Sequence, residues 1–429
     1  MKNILNGFLL SDDHIVKDSY LWNMIANFLF AFQSVLLLMV LTRVVGLQES
    51  GIFTIAYANA TLFLLIGKYG VRNYHVSDIG LKHSFSDFLV LRVFSVALMI
   101  CCSILYVGAK YYSHGYTLYK ALIVFLVCLY KVPDAIEDLY FGEYQRQGRL
   151  DVAAKCMTTR LSVSIIVLSV SIIVTHDLLV SLVISNIISI AAMVFLLRFT
   201  KSEFINAKSK SILGFKKLVK TCFPLFLGTF LAQYISNAPK YAIDSHMPDE
   251  IQACYGFIAM PVFVIGLLSS VIFNPIIHRM AEYWEQHKIE KFLKRFIKQL
   301  GIIVILTLIA LIGAWICGIP ILSMLYNTDL SEYKLELLIL LSGSGFLAVA
   351  SLLSVMLTIM RLLNGILLGY FLVAVVAFLF SNRMVELYGI SGAVWFYTGL
   401  MVLLAMLFGI IFLYGIKSSK ISNAKIMGR

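Results

Sequence analysis

Ionisable side chains inside long apolar runs are where this sequence could do chemistry. Each costs at least about 2.5 to 3.5 kcal/mol to place in hydrocarbon, so it persists where a cavity or a partner receives it. Lys68 and Arg72 stand four residues apart, as do Asp134 and Asp138 and also Lys240 and Asp244. Each pair therefore shares one face of a helix. Arg43 closes the first apolar run, Arg92 lies in the third, and Lys131, Asp134, Glu137 and Asp138 fall together in the fourth. The chemistry of such a set is electrostatic: cations receive phosphate oxygens, and carboxylates either hold those cations or carry a sodium ion or a proton.

Depth sorts the set. Lys131 lies about 20 Å into the fourth run at 1.5 Å per residue, somewhat past the bilayer centre and just before Pro133, which breaks a helical ladder. Lys131 is the first choice for a buried functional cation, and Lys240 reads the same way. Each has a purely structural alternative, an ion pair with Asp134 or Glu137 for Lys131 and with Asp244 for Lys240, and both alternatives stay open. Arg43, Arg72 and Arg92 sit close enough to run ends to snorkel to water. Asp138 and Glu143 read as solvated charges, and Asp134, Glu137 and Asp244 are candidates for ion coupling. Tyr69, Tyr234 and Tyr241 suit interfacial anchoring more than stacking on a sugar.

Enzyme chemistry has no motif here. GxxxxGK[ST], GxGxxG, GxSxG and HExxH are all absent from the sequence. The seven cysteines lack CxxC spacing and fall in or beside apolar runs, and the eight histidines form no cluster. No metal, cofactor or catalytic residue is expected.

The elements that must position these charges are transmembrane helices. Hydrophobic residues make up 60% of the 429 and charged residues 14%, with a mean hydropathy of +0.89, far from the roughly 25% charged of a soluble domain. Apolar runs near 20 residues recur, the length a helix needs to cross about 30 Å of hydrocarbon. The first, Tyr20 to Thr42, is too long for a signal peptide and no small-residue cleavage site follows it. Spans are expected near 20–43, 51–71, 89–110, 118–141, 156–175, 178–198, 219–242, 251–275, 299–319, 335–358, 362–382 and 390–416. The fold class is thus all-α integral membrane, with about twelve transmembrane helices.

Lysine and arginine give the orientation. Arg146, Arg149, Lys155, Arg160, the cations from Arg198 to Lys220, those from Arg279 to Lys298 and those of the tail fall on one side, leaving the other with scattered cations such as Lys110, Lys334 and Arg383. The positive-inside rule then makes both termini cytoplasmic. The net charge of +12 is explained by attraction to anionic headgroups, without nucleic acid. The stretch 288–298 reads as a membrane-surface helix leading into the ninth span. The polar stretch near the middle divides the chain into an N-terminal six-helix lobe at 1–200, a cytoplasmic linker at 201–218 and a C-terminal six-helix lobe at 219–416. A basic cytoplasmic tail follows at 417–429. An even number of spans per lobe makes the repeat parallel.

At these residues the sequence resembles the O-antigen and capsule flippases of the multidrug/oligosaccharidyl-lipid/polysaccharide (MOP) exporter superfamily. The carrying segments are Leu41-Thr42-Arg43-Val44-Val45-Gly46, Lys68-Tyr69-Gly70-Val71-Arg72, and Ser236 through Asp244 with Ala259-Met260-Pro261. The likeness in span number and lobe layout covers nearly the whole chain. It implies two six-helix lobes around a central cavity, as in the MATE transporters of that superfamily, opening alternately to each side. It also implies a polyprenyl-pyrophosphate-linked oligosaccharide as cargo, moved between leaflets of a bacterial cytoplasmic membrane, with Arg43, Lys68, Arg72 and Lys240 receiving the phosphates. Lys131 is added by the residues alone. The implied partners are that lipid-linked oligosaccharide and membrane lipids, with a polysaccharide polymerase as a candidate partner and sodium or protons as candidate coupling ions.

Three rivals are separable. A cation-coupled multidrug exporter of the same superfamily would carry acidic cavity residues. A membrane-embedded glycosyltransferase or ligase would carry a large outside loop with catalytic groups, and the outside loops here are short. A scaffold of a synthesis complex would not need charges at the midplane.

Overall fold

The computed structural model describes residues 7–11, 14–78, 83–204 and 215–427. Residues 205–214 of the expected linker and the last two of the expected tail lie outside the described residues, as do the side chains at 201–203, 263, 267–275 and 419–427. Among the described residues the chain is helical, with no strand.

Each expected span falls on a helix. In chain order these are α1 (Ile15–Val44), α2 (Leu47–Lys68), the short α3 (Val71–Ser77), α4 (Phe85–Tyr112), α5 (Leu118–Tyr130), α6 (Val132–Arg146), α7 (Leu150–Thr175) and α8 (Leu178–Phe204). They continue as α9 (Phe215–His246), α10 (Asp249–Glu285), α11 (Ile289–Gly313), α12 (Ile319–Tyr326), α13 (Lys334–Ile359) and α14 (Leu363–Met427). Among the described residues, nine helical stretches are long and apolar enough to cross a membrane. One of these, within α14, holds two spans, and two further expected spans lie on α5–α6 and on α10.

Local chemistry explains the breaks. Ser84 caps α4 by accepting from the Asp87 amide, and the Asp87 carboxylate accepts from the Ser84 amide at 2.9 Å. Such a reciprocal box satisfies two otherwise orphaned donors. Span four is interrupted at Lys131, which ends α5 and starts α6. Pro133 cannot donate a backbone hydrogen bond, and its ring crowds the carbonyl four residues earlier. Gly389 breaks α14 with φ +59, a conformation only glycine adopts cheaply. At Gly392 a Cβ would fall 2.1 Å from the Met384 carbonyl oxygen.

The basic stretch 288–298 is not a separate surface helix. It forms the first turns of α11, whose buried Phe292, Phe296, Gln299 and Ile303 share one face and run on into the span. The apolar period of the span simply begins inside the basic stretch. Between α11 and α12, Ala314–Gly318 forms a π-helical turn.

The chain forms two compact units, Met1–Phe230 and Leu231–Arg429, dividing within α9. In the first, α1 lies along α7, α2 against α4 and α5, and α7 against α8. In the second, α13 lies against α10 and α14. Many large apolar side chains face outward, Ile316, Phe378 and Tyr414 among them. Hydrocarbon around the helices accounts for that exposure where water would not.

Candidate functional site

The break at Lys131 turns a run of charges on α6 into the middle of the first unit. Lys131 is 0% exposed at its side chain, 3.1 Å from Asp134 Oδ2, and its ammonium donates to Gln33 Oε1 on α1. The rings of Phe30, Tyr57 and Tyr130 surround it at 4.9, 4.7 and 5.9 Å. Gln33 in turn donates to the Tyr130 hydroxyl at 2.9 Å and accepts from that of Tyr57 at 3.3 Å. On the other side Arg160 of α7 binds Asp134 through Nη2 and Glu137 Oε2 through Nε at 2.7 Å. Two cations therefore face two carboxylates, a charge-neutral quartet with no surplus to offer an anion.

One turn along α6 the balance changes. Asp138 accepts from Arg92 of α4 at 2.8 Å, and lies 3.8 Å from both Lys68 of α2 and Arg72 of α3. Among the described residues, three cations face one carboxylate, a surplus of two positive charges. Arg92 is 1% exposed, whereas Lys68 and Arg72 are 29% and 28% exposed. Arg92 also donates to the Gly67 carbonyl at 2.7 Å, as does Ser95. Gly67 permits this approach, because a Cβ there would meet Met99 Sδ at 2.7 Å and the Ala135 Cβ at 3.0 Å. Arg72 is further held by Gln145 at 2.8 Å. The Phe30 ring lies between the two charge groups, 5.3 Å from the Lys68 ammonium and 4.9 Å from that of Lys131.

Toward the end of α6, Glu143 accepts from Arg146 at 2.7 Å and from Gln147 at 2.6 Å. His75 Nε2 lies 2.8 Å from its other oxygen, and this imidazole is 1% exposed against the Phe88 ring.

These positions sort the sequence reading. Lys68, Arg72 and Lys131 come together in the first unit. Arg43 does not join them: it is exposed in the last turn of α1, separated from Lys68 by the length of α2, about 30 Å. Lys240 and Asp244 belong to the second unit. Lys240 is partly exposed, with no hydrogen bond or ion pair among the described residues, and Asp244 is buried. The alternative Lys240–Asp244 ion pair is not formed among the described residues. For Lys131 the structural partner is Asp134; Glu137 belongs to Arg160.

Three expectations are corrected. Arg92 does not snorkel; it is buried, because Asp138 and the Gly67 carbonyl draw it between helices. Asp138 and Glu143 are buried, not solvated, because cations and a histidine meet them there. Arg160, counted among the cytoplasmic cations, is buried inside α7, which begins at Leu150, because Asp134 and Glu137 meet it there. Tyr69 is buried and stacked on Phe226 at 4.9 Å, so it is not open to a sugar. Tyr234 and Tyr241 stack on each other at 6.0 Å.

No family model matches the chain. A capsular polysaccharide biosynthesis protein, CapF of Staphylococcus aureus, is 22% identical over 329 residues, covering 75% of this chain and 80% of that one. An inward-facing multidrug-resistance MATE transporter of the MOP superfamily superposes with a TM-score of 0.70 at 12% identity, over 93% of this chain and 95% of its own. The lipid II flippase MurJ, in an inward closed conformation, gives a TM-score of 0.69 at 13% identity over 93% and 90%. A MOP superfamily transporter from Pyrococcus furiosus, described as having reverse polarity in its binding pocket, gives 0.60 at 14% over 95% and 96%. The chain has the all-helical, multi-pass membrane fold of the MOP superfamily. These structural relatives are transporters and flippases, not enzymes.

Proposed function

We propose that the chain is a flippase that carries a polyprenyl-pyrophosphate-linked oligosaccharide, of the capsule or O-antigen kind, from the inner to the outer leaflet of a bacterial cytoplasmic membrane. The observation that carries this reading is the cation surplus around Asp138. Lys68 and Arg72 both lie 3.8 Å from Asp138 and remain partly exposed, so an incoming diphosphate can draw them without stripping a buried pair. A site of two surplus positive charges suits a headgroup of about two negative ones, and lowers the cost of taking that anion into hydrocarbon. Lys240, which has no ion-pair partner among the described residues, is the corresponding cation of the second unit. Lys131 plays a different part: inside a neutral quartet it positions α6 and becomes available only if a carboxylate is neutralised. Arg43 is placed to meet the headgroup late, at the outer end of α1.

The reading also draws on two likenesses, one to a lipid II flippase in fold and one to a capsule biosynthesis protein in sequence. In it the two lobes alternate in access, both termini are cytoplasmic, and no ATPase is required, because the membrane potential favours outward movement of the anion. Asp134, Glu137 and Asp244 are the carboxylates through which sodium or a proton would couple. The rival, a cation-coupled drug exporter, needs a carboxylate free for a cationic drug, and Asp134, Glu137, Asp138 and Glu143 are each engaged by a cation.

Complementation of a flippase-deficient, polysaccharide-producing strain tests the proposal. Wild type should restore surface polysaccharide, and Lys68→Ala, Arg72→Ala and Lys240→Ala at matched membrane expression should not. Restoration by all three variants would contradict a cationic seat, and efflux of cationic dyes without restoration would favour the exporter.

A further inference from the structure

Before α1 the chain carries the apolar triplet Phe8-Leu9-Leu10, which the first span does not need for its length. The triplet is not left in solvent. Leu9 is 1% exposed, in a cluster with Phe141 and Tyr144 of α6, Val152, Ala153 and Cys156 of α7 and Leu196 of α8. Two further holds fix the segment. Arg149 Nη2 donates to the Ser11 carbonyl at 2.9 Å while the same guanidinium grips Asp151. Phe8 stands edge-on to Trp22 at 5.2 Å, under the Lys155 ammonium, which itself pairs with Asp18 at 2.6 Å.

What this segment covers gives it a role. Cys156 is one turn before Arg160 on α7, and Phe141 is one turn beyond Glu137 on α6. The layer that Leu9 completes is therefore about 6 Å thick along the helices. It separates the buried Arg160–Glu137 pair from the end of the unit that the cation distribution assigns to the cytoplasm. Among the described residues, every other buried member of that layer is fixed within a long helix, and Leu9 alone comes from a short segment. Segments with few apolar contacts and few hydrogen bonds open at the lowest free energies in a structure.

We propose that residues 7–11 form a strap that closes the cytoplasmic end of the first unit, and that its release admits water to the Arg160–Glu137 pair. With the strap seated, the quartet is dry and its ion pairs are fixed. With the strap released, water can solvate Glu137 and Arg160, and the quartet can exchange partners. The strap is thus a gate on rearrangement of α6, independent of which cargo the protein carries.

Cys156 reports the gate directly, because it lies in the layer behind Leu9 and is buried. The full chain in inverted membrane vesicles is treated with N-ethylmaleimide, and alkylation at each cysteine is followed by peptide mass spectrometry. Cys128 and Cys222, buried elsewhere in the same unit, act as internal controls for general loosening. Wild type and Leu9→Met should alkylate slowly at all three sites. Leu9→Ala should raise the Cys156 rate by about tenfold or more, as expected from truncating a buried leucine, and Leu9→Asp should raise it further, with Cys128 and Cys222 unchanged. An unchanged Cys156 rate in both variants would overturn the proposal. So would a parallel rise at all three cysteines, which would make Leu9 an ordinary packing residue of the bundle.

Discussion

Replacing Asp138 with asparagine removes the one carboxylate shared by Arg92, Lys68 and Arg72, and the geometry makes the three losses unequal. Arg92 sits 2.8 Å from Asp138 at 1% exposure, and deleting one partner of such a buried pair costs about 3 to 5 kcal/mol, because the other charge is left unsolvated. The Lys68 and Arg72 contacts are 3.8 Å long and more than a quarter exposed, so each is worth about 0 to 1 kcal/mol. Asp138→Asn should therefore lower stability by about 3 to 5 kcal/mol, and Lys68→Gln or Arg72→Gln by less than about 1 kcal/mol each. Arg92→Gln should fall between them, since Asp138 keeps two cations and Ser95 still donates to the Gly67 carbonyl. Adding Arg92→Gln to Asp138→Asn should recover part of the loss, with an interaction energy of about 1 to 3 kcal/mol. Unfolding titrations with sodium dodecyl sulfate in mixed micelles give the ranking. The electrostatic account is refuted if Asp138→Asn lies within about 1 kcal/mol of wild type, or if Lys68→Gln costs as much as Asp138→Asn.

Lys131→Met should cost about 3 to 5 kcal/mol, because the buried quartet becomes anionic; adding Glu137→Gln should recover most of it by restoring neutrality, and the same titration checks both. Gly392→Ala should prevent accumulation of folded protein, since its Cβ would overlap the Met384 carbonyl, whereas Gly399→Ala, with open space around it, should express and elute in size-exclusion chromatography like wild type. If two negative charges move outward, an inside-negative potential of 100 mV adds about 4 to 5 kcal/mol of driving force; accumulation of labelled lipid in the outer leaflet of vesicles clamped at opposite potentials should differ accordingly, and equal accumulation would remove the potential from the mechanism.

Much of the fold is legible because a bilayer imposes one length and one backbone solution. Each apolar run became a helix, and Pro133 broke the fourth where its missing donor requires. Charge partners were less legible, since helical spacing orders residues along one helix and says nothing of what faces them across another. Lys131 and Asp134 could be paired from an i, i+3 spacing. Arg160 could not be joined to Glu137, because it reads as one of the cytoplasmic cations and only the packing of α7 on α6 sets it beside that carboxylate. Arg92 is hard to place for a related reason: near a run end a guanidinium can reach water or turn inward, and only Asp138 and the buried Gly67 carbonyl decide which. Gln33 and His75 carry no signal of their own, because their partners come from distant helices.

The most direct test of the central claim is reconstitution of the purified protein in proteoliposomes with a fluorescent polyprenyl-diphosphate oligosaccharide, its transbilayer movement read by quenching of the outer leaflet. The account predicts that wild type moves this lipid, that Lys68→Gln/Arg72→Gln loses movement while remaining folded, and that an uncharged polyprenol with the same sugar is not moved. Wild-type rates in the double variant, or equal movement of the uncharged lipid, would contradict it.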